Sequence, residues 1–342
     1  MQRTDVIVVT GVCGPERRRL AHQLARAGAR HLISASRVGI DQLDDLGATD
    51  RALIECDAAT QITEIIGALT DPAATETLHL TGVMCVTDAL HLLDDLAADD
   101  FVATEVDANG AMLDCTARAL LTVTQIEFAS VIVIVNWETV PTPDLARLMA
   151  LISHLSPLAR LRLDGSPGTA AIEPVTYRRE QQRAGWVRTL NGDADPHMTD
   201  RRVSSVRTEQ MRPLHPGRLQ TFLDRVEAGR YGHVVRSAGF CRFATRPRHG
   251  LYWDHVGRTI EFREADPDAD LDLDLPETTG DTDLPHPGQA LACIGIDLDA
   301  AGLHQALDAV ALSDDEFMAG PAAWAGYPDP FPRSAPAEHG SD

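Results

Sequence analysis

The chain has no lysine: all 30 basic residues among its 342 are arginine. That absence excludes every mechanism built on a lysine ammonium, including a phosphate-loop lysine, a Schiff base and the lysine of a guanine-recognition box. Aromatic residues are sparse, at 5%. No run of about 18 apolar residues occurs, so no membrane-crossing helix is expected. The N-terminus enters a strand without the basic and apolar regions of a secretory leader, which makes the cytoplasm the expected location. Six cysteines (Cys13, Cys56, Cys85, Cys115, Cys241, Cys293) lie too far apart for a C-x-C or C-x-x-C metal or redox motif. Most sit in apolar runs, where a reduced core thiol is expected.

What the chain has in excess is acid. The net charge of −21 is unevenly spread. Residues 1–200 hold 16 arginines against 28 acids, residues 201–258 hold 12 against 4, and residues 259–342 hold 2 against 19. The overall balance opposes direct nucleic-acid binding, although the middle segment is locally basic. That segment has three readings: contact with RNA phosphates, or equally a solvated surface or a partner for the chain's own acidic flank at 264–283.

The most informative stretch is Thr10-Gly-Val-Cys-Gly-Pro-Glu-Arg-Arg-Arg19. It follows the apolar run Val6–Val9 and opens a helical pattern through Leu20, Leu24 and Ala27. Strand, glycine turn, helix is the layout of a phosphate-binding loop, G-x-x-x-x-G-K-S/T. Gly11 fits the first glycine. Glu16 stands at the second, Arg17 at the lysine and Arg18 at the hydroxyl. Pro15 removes a backbone N–H, Glu16 brings a carboxylate to where phosphate would approach, and no hydroxyl is left for magnesium. Arg17 has two readings: a guanidinium clamping phosphate in the lysine's place, or part of a solvated arginine cluster on a structural turn. The mechanics favour the second.

Downstream, short apolar runs alternate with helical spacing. Strands are expected at 5–10, 31–35, 51–56, 78–88 and 131–135, and helices at 16–27, 62–69, 89–96, 111–128 and 145–155. The unbroken Val131–Val135 marks a strand buried on both faces. Alternating strands and helices predict an α/β domain with a parallel sheet over residues 1–163. Residues 164–200 lose periodicity and are expected as a linker. A second block, 201–332, carries strands near 203–211, 234–244, 251–262 and 290–296, with helices at 215–228 and 300–311. The alternation over 268–275 predicts an exposed acidic insertion. Ser313-Asp-Asp-Glu316 has the spacing of a capping box, and a disordered tail is expected at 333–342.

The second block resembles the C-terminal domain of the CobW family of P-loop GTPases, proposed metallochaperones. The matching residues are Arg212-Pro-Leu-His-Pro-Gly-Arg218, Val235-Arg-Ser-Ala-Gly-Phe240, Phe243-Ala-Thr-Arg-Pro247, Leu312-Ser-Asp-Asp-Glu316 and Asp329-Pro-Phe331. The first half agrees at Val9-Thr-Gly11, Val86-Thr-Asp88, Gln125-Ile-Glu-Phe-Ala129 and Asn136. The resemblance implies a P-loop NTPase-like α/β domain followed by a smaller α+β domain, with GTP, magnesium and zinc as the ligands of a working member. It also implies a relic nucleotide site at Gly11, Gly14, Arg17, Arg18 and Asn136. The guanine box is altered to Asn136-Trp-Glu-Thr139, losing its lysine and aspartate. The C-x-C-C zinc motif is absent between residues 20 and 80, and Leu53-Ile-Glu-Cys-Asp57 stands where the switch strand belongs. His215, His233, His249 and His255 have no partner at helical spacing, so no metal site is expected. These losses point to a catalytically impaired member with a protein partner, such as a ribosomal or hibernation protein. Actinobacterial CobW-like proteins that recruit a hibernation factor under zinc starvation are the related subgroup. A residual GTPase and zinc chaperone is the alternative.

Overall fold

The computed structural model describes residues 3–35, 49–106, 112–166, 174–178, 183–265 and 289–332. The expected acidic insertion at 268–275 and tail at 333–342 lie outside them. In chain order the first half forms β1 (Thr4–Thr10), α1 (Gly14–Gly28), β2 (His31–Ala35), β3 (Arg51–Cys56), α2 (Ile62–Thr70), β4 (Leu78–Asp88), α3 (Leu92–Leu96), β5 (Phe101–Val106), β6 (Met112–Ala117), α4 (Arg118–Glu127), β7 (Val131–Val135), α5 (Thr142–Leu155) and β8 (Arg160–Leu163). Six of these strands make one sheet in the order β2-β3-β1-β4-β7-β8, and every pairing in it is parallel. Helices cover both faces, which is why all five residues of β7 are buried apolar side chains. Leu20 and Leu24 of α1 pack on Ile7, Val9 and Met84. On the opposite face Ile62 and Ile66 of α2 pack on Val6, Val8 and Ile54.

Residues 112–117 depart from the expected helix. They pair antiparallel with β5, and the helix starts only at Arg118. The spacing of apolar residues fits either state here, and a neighbouring strand supplies the ladder that decides it. Residues 164–200 also differ from a plain linker. They contain α6 (Gly185–Asn191), whose Trp186, Val187 and Leu190 are buried.

The second half forms β9 (Val203–Gln210), α7 (Pro216–Glu227), β10 (His233–Cys241), β11 (Leu251–Val256), β12 (Thr259–Glu264), β13 (Gln289–Ile296), α8 (Ala300–Val310), α9 (Asp314–Ala319) and α10 (Pro321–Trp324). Its five strands form an antiparallel sheet in the order β12-β11-β10-β13-β9. One face carries α7 and α8, with Leu219, Phe222, Leu303 and Leu307 packed on Trp253, Leu291 and Cys293. The other face is covered by the first half: Val123 and Ile126 of α4, Leu151 of α5 and Trp186 of α6 share one core with Val235, Ala238, Ala292 and Ile294. The two sheets are thus joined by a continuous apolar core.

A buried ion group crosses that seam. Arg236 of β10 is 2% exposed; its Nε donates to Glu127 Oε1 of α4 at 2.8 Å, and its Nη1 binds Asp254 Oδ1. Asp254 also accepts from Arg263 Nη2 at 2.9 Å. Burial pushes the Glu127 carboxyl up by more than Arg236 pulls it down. Burial also acts to raise Asp254, but two guanidiniums outweigh it and hold that carboxyl below its ordinary value. At the neighbouring β11–β12 turn, Gly257 has φ +56° and approaches Leu96 so closely that a Cβ would lie 2.3 Å from its carbonyl oxygen.

Candidate functional site

The strands of the parallel sheet all end at one edge, and β1 lies between β3 and β4 although β2 and β3 follow it in the chain. That crevice at the carboxyl ends of the strands is where open parallel sheets bind ligands. The loop after β1 opens into it. Gly11 has φ +138°, and an added Cβ would sit 2.3 Å from the carbonyl oxygen of Val86 on β4, so only glycine fits. Cys13 is the N-cap of α1, gives no side-chain cap bond, and instead donates its thiol to that same Val86 oxygen at 3.1 Å. Burial, reinforced by the Glu16 carboxylate, pushes this thiol up to about 12, so it is protonated and unreactive at neutral pH.

Arg17 departs from the solvated cluster expected of it. It is 4% exposed, its Nε donates to Glu55 Oε1 at 2.7 Å, and its Nη1 donates to the Gly11 carbonyl. It is therefore not part of a solvated cluster, which corrects the favoured reading. The reason is Glu55 on the adjacent strand β3, itself 6% exposed, which needs a cation at that depth. The guanidinium points back into the loop and its charge is matched by a carboxylate. Arg18 and Arg19 are exposed. Arg18 Nε donates to the Gly14 carbonyl at 3.2 Å, and Arg19 Nη2 reaches Asp164 Oδ2 at 2.6 Å. Gly14 is less demanding than Gly11, because its nearest neighbour is the flexible Arg18 guanidinium.

Asn136 closes the crevice at the end of β7. It has φ 55°, and its Nδ2 donates to Asp88 Oδ2 of β4 at 2.8 Å. Asp88 Oδ1 accepts from the Leu90 N–H at 2.8 Å, so both carboxylate oxygens serve the local backbone and side chains. Trp137 and Thr139 lie in a 3₁₀ turn, with Trp137 Nε1 donating to the Asp164 carbonyl at 3.1 Å. Gly11, Gly14, Arg17 and Arg18 thus form one loop, with Asn136 and Asp88 across the same sheet edge. The loop supplies no lysine and no hydroxyl at Arg18, the pair that a magnesium-bound triphosphate uses. Thr10 and Thr87, near the ends of β1 and β4, bury hydroxyls without a hydrogen-bond partner.

Among the described residues no three His, Cys, Asp or Glu side chains converge to hold a metal ion. His215 caps α7 and stacks on Tyr327, His249 lies 3.6 Å from Glu264, and His255 is buried against Ser237 Oγ at 3.0 Å. The arginines of the basic segment are largely matched at short range. Arg202 pairs with Asp200, Arg218 with Glu316, Arg246 with Asp329, and Arg258 with both Asp99 and Glu227. No described helix is long and apolar enough to cross a membrane.

Sequence reasoning missed two features. Glu55 as the partner of Arg17 is 38 residues away in sequence; the signal was a glutamate inside the apolar run Ala-Leu-Ile-Glu-Cys56. The Glu127–Arg236–Asp254 group was signalled likewise by an arginine inside Val234-Val-Arg-Ser-Ala238.

Comparison with known proteins shows what the chain is similar to. Residues 203–311 match the model of the cobalamin synthesis protein CobW C-terminal domain. A protein of Dictyostelium discoideum named zinc-regulated GTPase metalloprotein activator 1 is 23% identical over 70% of this chain and 52% of its own length. The zinc chaperone Rv0106 of Mycobacterium tuberculosis is 28% identical over 76% of this chain and 63% of its own. The chain therefore spans between half and two thirds of the length of these relatives. Among solved structures, the Zn(II)-bound YjiA GTPase from E. coli aligns over 91% of this chain and 100% of its own, at 15% identity and a TM-score of 0.38. Residues 203–311 of this chain are thus similar to the CobW C-terminal domain.

Proposed function

We propose that this chain is a CobW-like protein that no longer runs a GTP cycle and acts as a protein-binding adaptor in zinc limitation or ribosome hibernation. The observation that carries the reading is the loop closed on itself, with Arg17 held by Glu55 and the Gly11 carbonyl. A guanidinium neutralised in this way adds little attraction for phosphate, and freeing it would leave Glu55 buried and unpaired. Arg18 at the metal-hydroxyl position and Thr139 at the guanine-aspartate position remove the other two grips. The link to zinc rests on the names of the relatives. The net charge of −21 favours a basic protein partner over bare RNA. Pulldown with the full chain from zinc-starved cells tests the adaptor role: a ribosomal or hibernation protein should be enriched over zinc-replete cells, and its absence would sink the role.

A second reading, a residual GTPase and zinc chaperone, draws on those same relatives and on the unpartnered hydroxyls of Thr10 and Thr87. It requires GTP or GDP to bind with magnesium, and binding to weaken in Arg17→Ala.

A further inference from the structure

The segment that follows α10 lies on the second half of the chain as a bound peptide would, and it falls outside the matched residues 203–311. From Tyr327 to Pro332 the exposure alternates. Tyr327, Asp329 and Phe331 are half-buried, whereas Pro328, Pro330 and Pro332 are exposed. An extended chain turns every second side chain the same way, and a proline at each outward position holds it extended. Each inward residue has its own receiver. The Tyr327 ring stacks on His215 at 4.6 Å. Asp329 Oδ2 accepts from Thr245 Oγ1 at 2.6 Å. It also lies 3.4 Å from Arg246 Nε, with the two side chains only 9% and 14% exposed. The Phe331 ring packs on Phe243 and on Phe262 of β12, at 5.2 and 5.1 Å. Arg246 completes the grip by donating to the carbonyls of Phe331 and Pro332 at 3.3 and 3.2 Å. Beyond the Tyr327 N–H, residues 328–332 make no backbone-to-backbone hydrogen bond among the described residues. Three anchors and one arginine hold the segment, with no helix or sheet ladder, and an attachment of that kind opens more readily than the sheet beneath it.

We propose that this groove recognises a partner's extended segment carrying an aromatic residue, an aspartate and a phenylalanine at alternate positions, and that residues 327–332 are its displaceable occupant within the chain. The chemistry of the partner is read from the anchors that the groove already holds. Arg246 and Thr245 take a carboxylate, the Phe243–Phe262 slot takes a ring, and the His215 face takes a second ring. The pattern fixes three side chains and leaves the partner's net charge free. A second copy of the chain is disfavoured as occupant, because its own segment is already docked and each chain carries −21. The proposal rests on the adaptor reading, to which it gives a surface.

A synthetic peptide of residues 325–332 is the probe. In the full chain carrying Asp329→Ala and Phe331→Ala the groove is vacated, and the peptide should bind it saturably. The wild-type chain should bind at least about tenfold more weakly, because its own segment competes at an effective concentration of about millimolar. Adding Arg246→Met to the vacated chain, or Asp329→Asn to the peptide, should each weaken binding by about tenfold or more. A second measurement needs no substitution in the groove and decides the matter even where the vacated chain fails to fold. In wild-type chain labelled with fluorophenylalanine, the Phe331 resonance should move to its exposed position when peptide exceeds that effective concentration several-fold. No saturable binding to a folded vacated chain, equal binding to both chains, binding that survives Arg246→Met, or an unmoved Phe331 resonance would overturn the proposal. A wild-type dimer that the peptide dissolves would make a second copy the occupant and overturn it as well. Failure here leaves the adaptor reading standing on another surface, whereas GTP binding alongside peptide displacement defeats that reading and leaves the groove.

Discussion

Replacing Arg236 by methionine isolates the worth of the ion group between the two sheets. The substitution roughly preserves the aliphatic stem and removes the guanidinium that lies 2.8 Å from Glu127. Asp254 keeps Arg263, but among the described residues no other cation bonds Glu127, which is 1% exposed. An uncompensated carboxylate at that depth protonates instead of staying charged. Its folded pKa then rises far above the unfolded value of about 4.3, so the penalty is absent below that value and grows as pH rises above it. A glutamate kept neutral at about pH 7 costs about 4 kcal/mol, from about 2.7 pK units at 1.36 kcal/mol each, and at about pH 5 only about 1 kcal/mol; because burial already raises Glu127 in the wild-type chain, these are the upper bounds on the loss. Urea unfolding at the two pH values measures both numbers. Adding Glu127→Gln to the variant should recover most of the loss at pH 7, because an amide carries no charge to strand. A cost below about 1 kcal/mol at pH 7, or one independent of pH, would refute the reasoning. Because a single core joins the sheets, the wild-type chain should unfold in one transition seen equally by tryptophan fluorescence and circular dichroism.

Other outcomes follow from particular contacts. Arg17→Met strands Glu55, and should lower stability by about 3–5 kcal/mol in chemical denaturation, where loss of a solvated arginine would change almost nothing. Burial, aided by the Arg236 charge, holds the His255 imidazole down at about 4. The unfolded chain therefore binds a proton that the folded chain refuses between about pH 6.5 and 4, so stability falls as pH drops through that window, by up to about 3 kcal/mol. In His255→Gln the slope of stability against pH should flatten by about one proton. Gly257→Ala places a Cβ against the Leu96 carbonyl at a left-handed backbone position, and should cost about 1–3 kcal/mol in a thermal or urea melt.

Much of the architecture was legible because it is locally written. Val131–Val135 is an unbroken apolar strand, Leu78–Asp88 is built around the apolar run Val83–Val86, and the Ser313 capping box is read directly from its spacing. What escaped depends on partners distant in sequence. Residues 112–117 become a strand because β5 lies beside them, and Trp186 is buried because it packs beside Tyr252 in the core between the two sheets. At the candidate site the sequence located the loop and its missing grips, since these are identities at fixed positions. It could not place the Arg17 side chain, whose direction is set by Glu55 across the sheet. A buried charge inside an apolar run is the sign that such a partner exists, and it occurs at both Glu55 and Arg236.

The loop itself bears the central claim, and calorimetric titration of the full chain with GTP and GDP in the presence of magnesium tests it most directly. With Arg17 bound to Glu55, no heat of binding is expected even at about millimolar nucleotide, where a functional loop would be saturated. Saturable binding that requires magnesium and is lost in Arg17→Ala would contradict the claim and return the chain to its GTPase relatives.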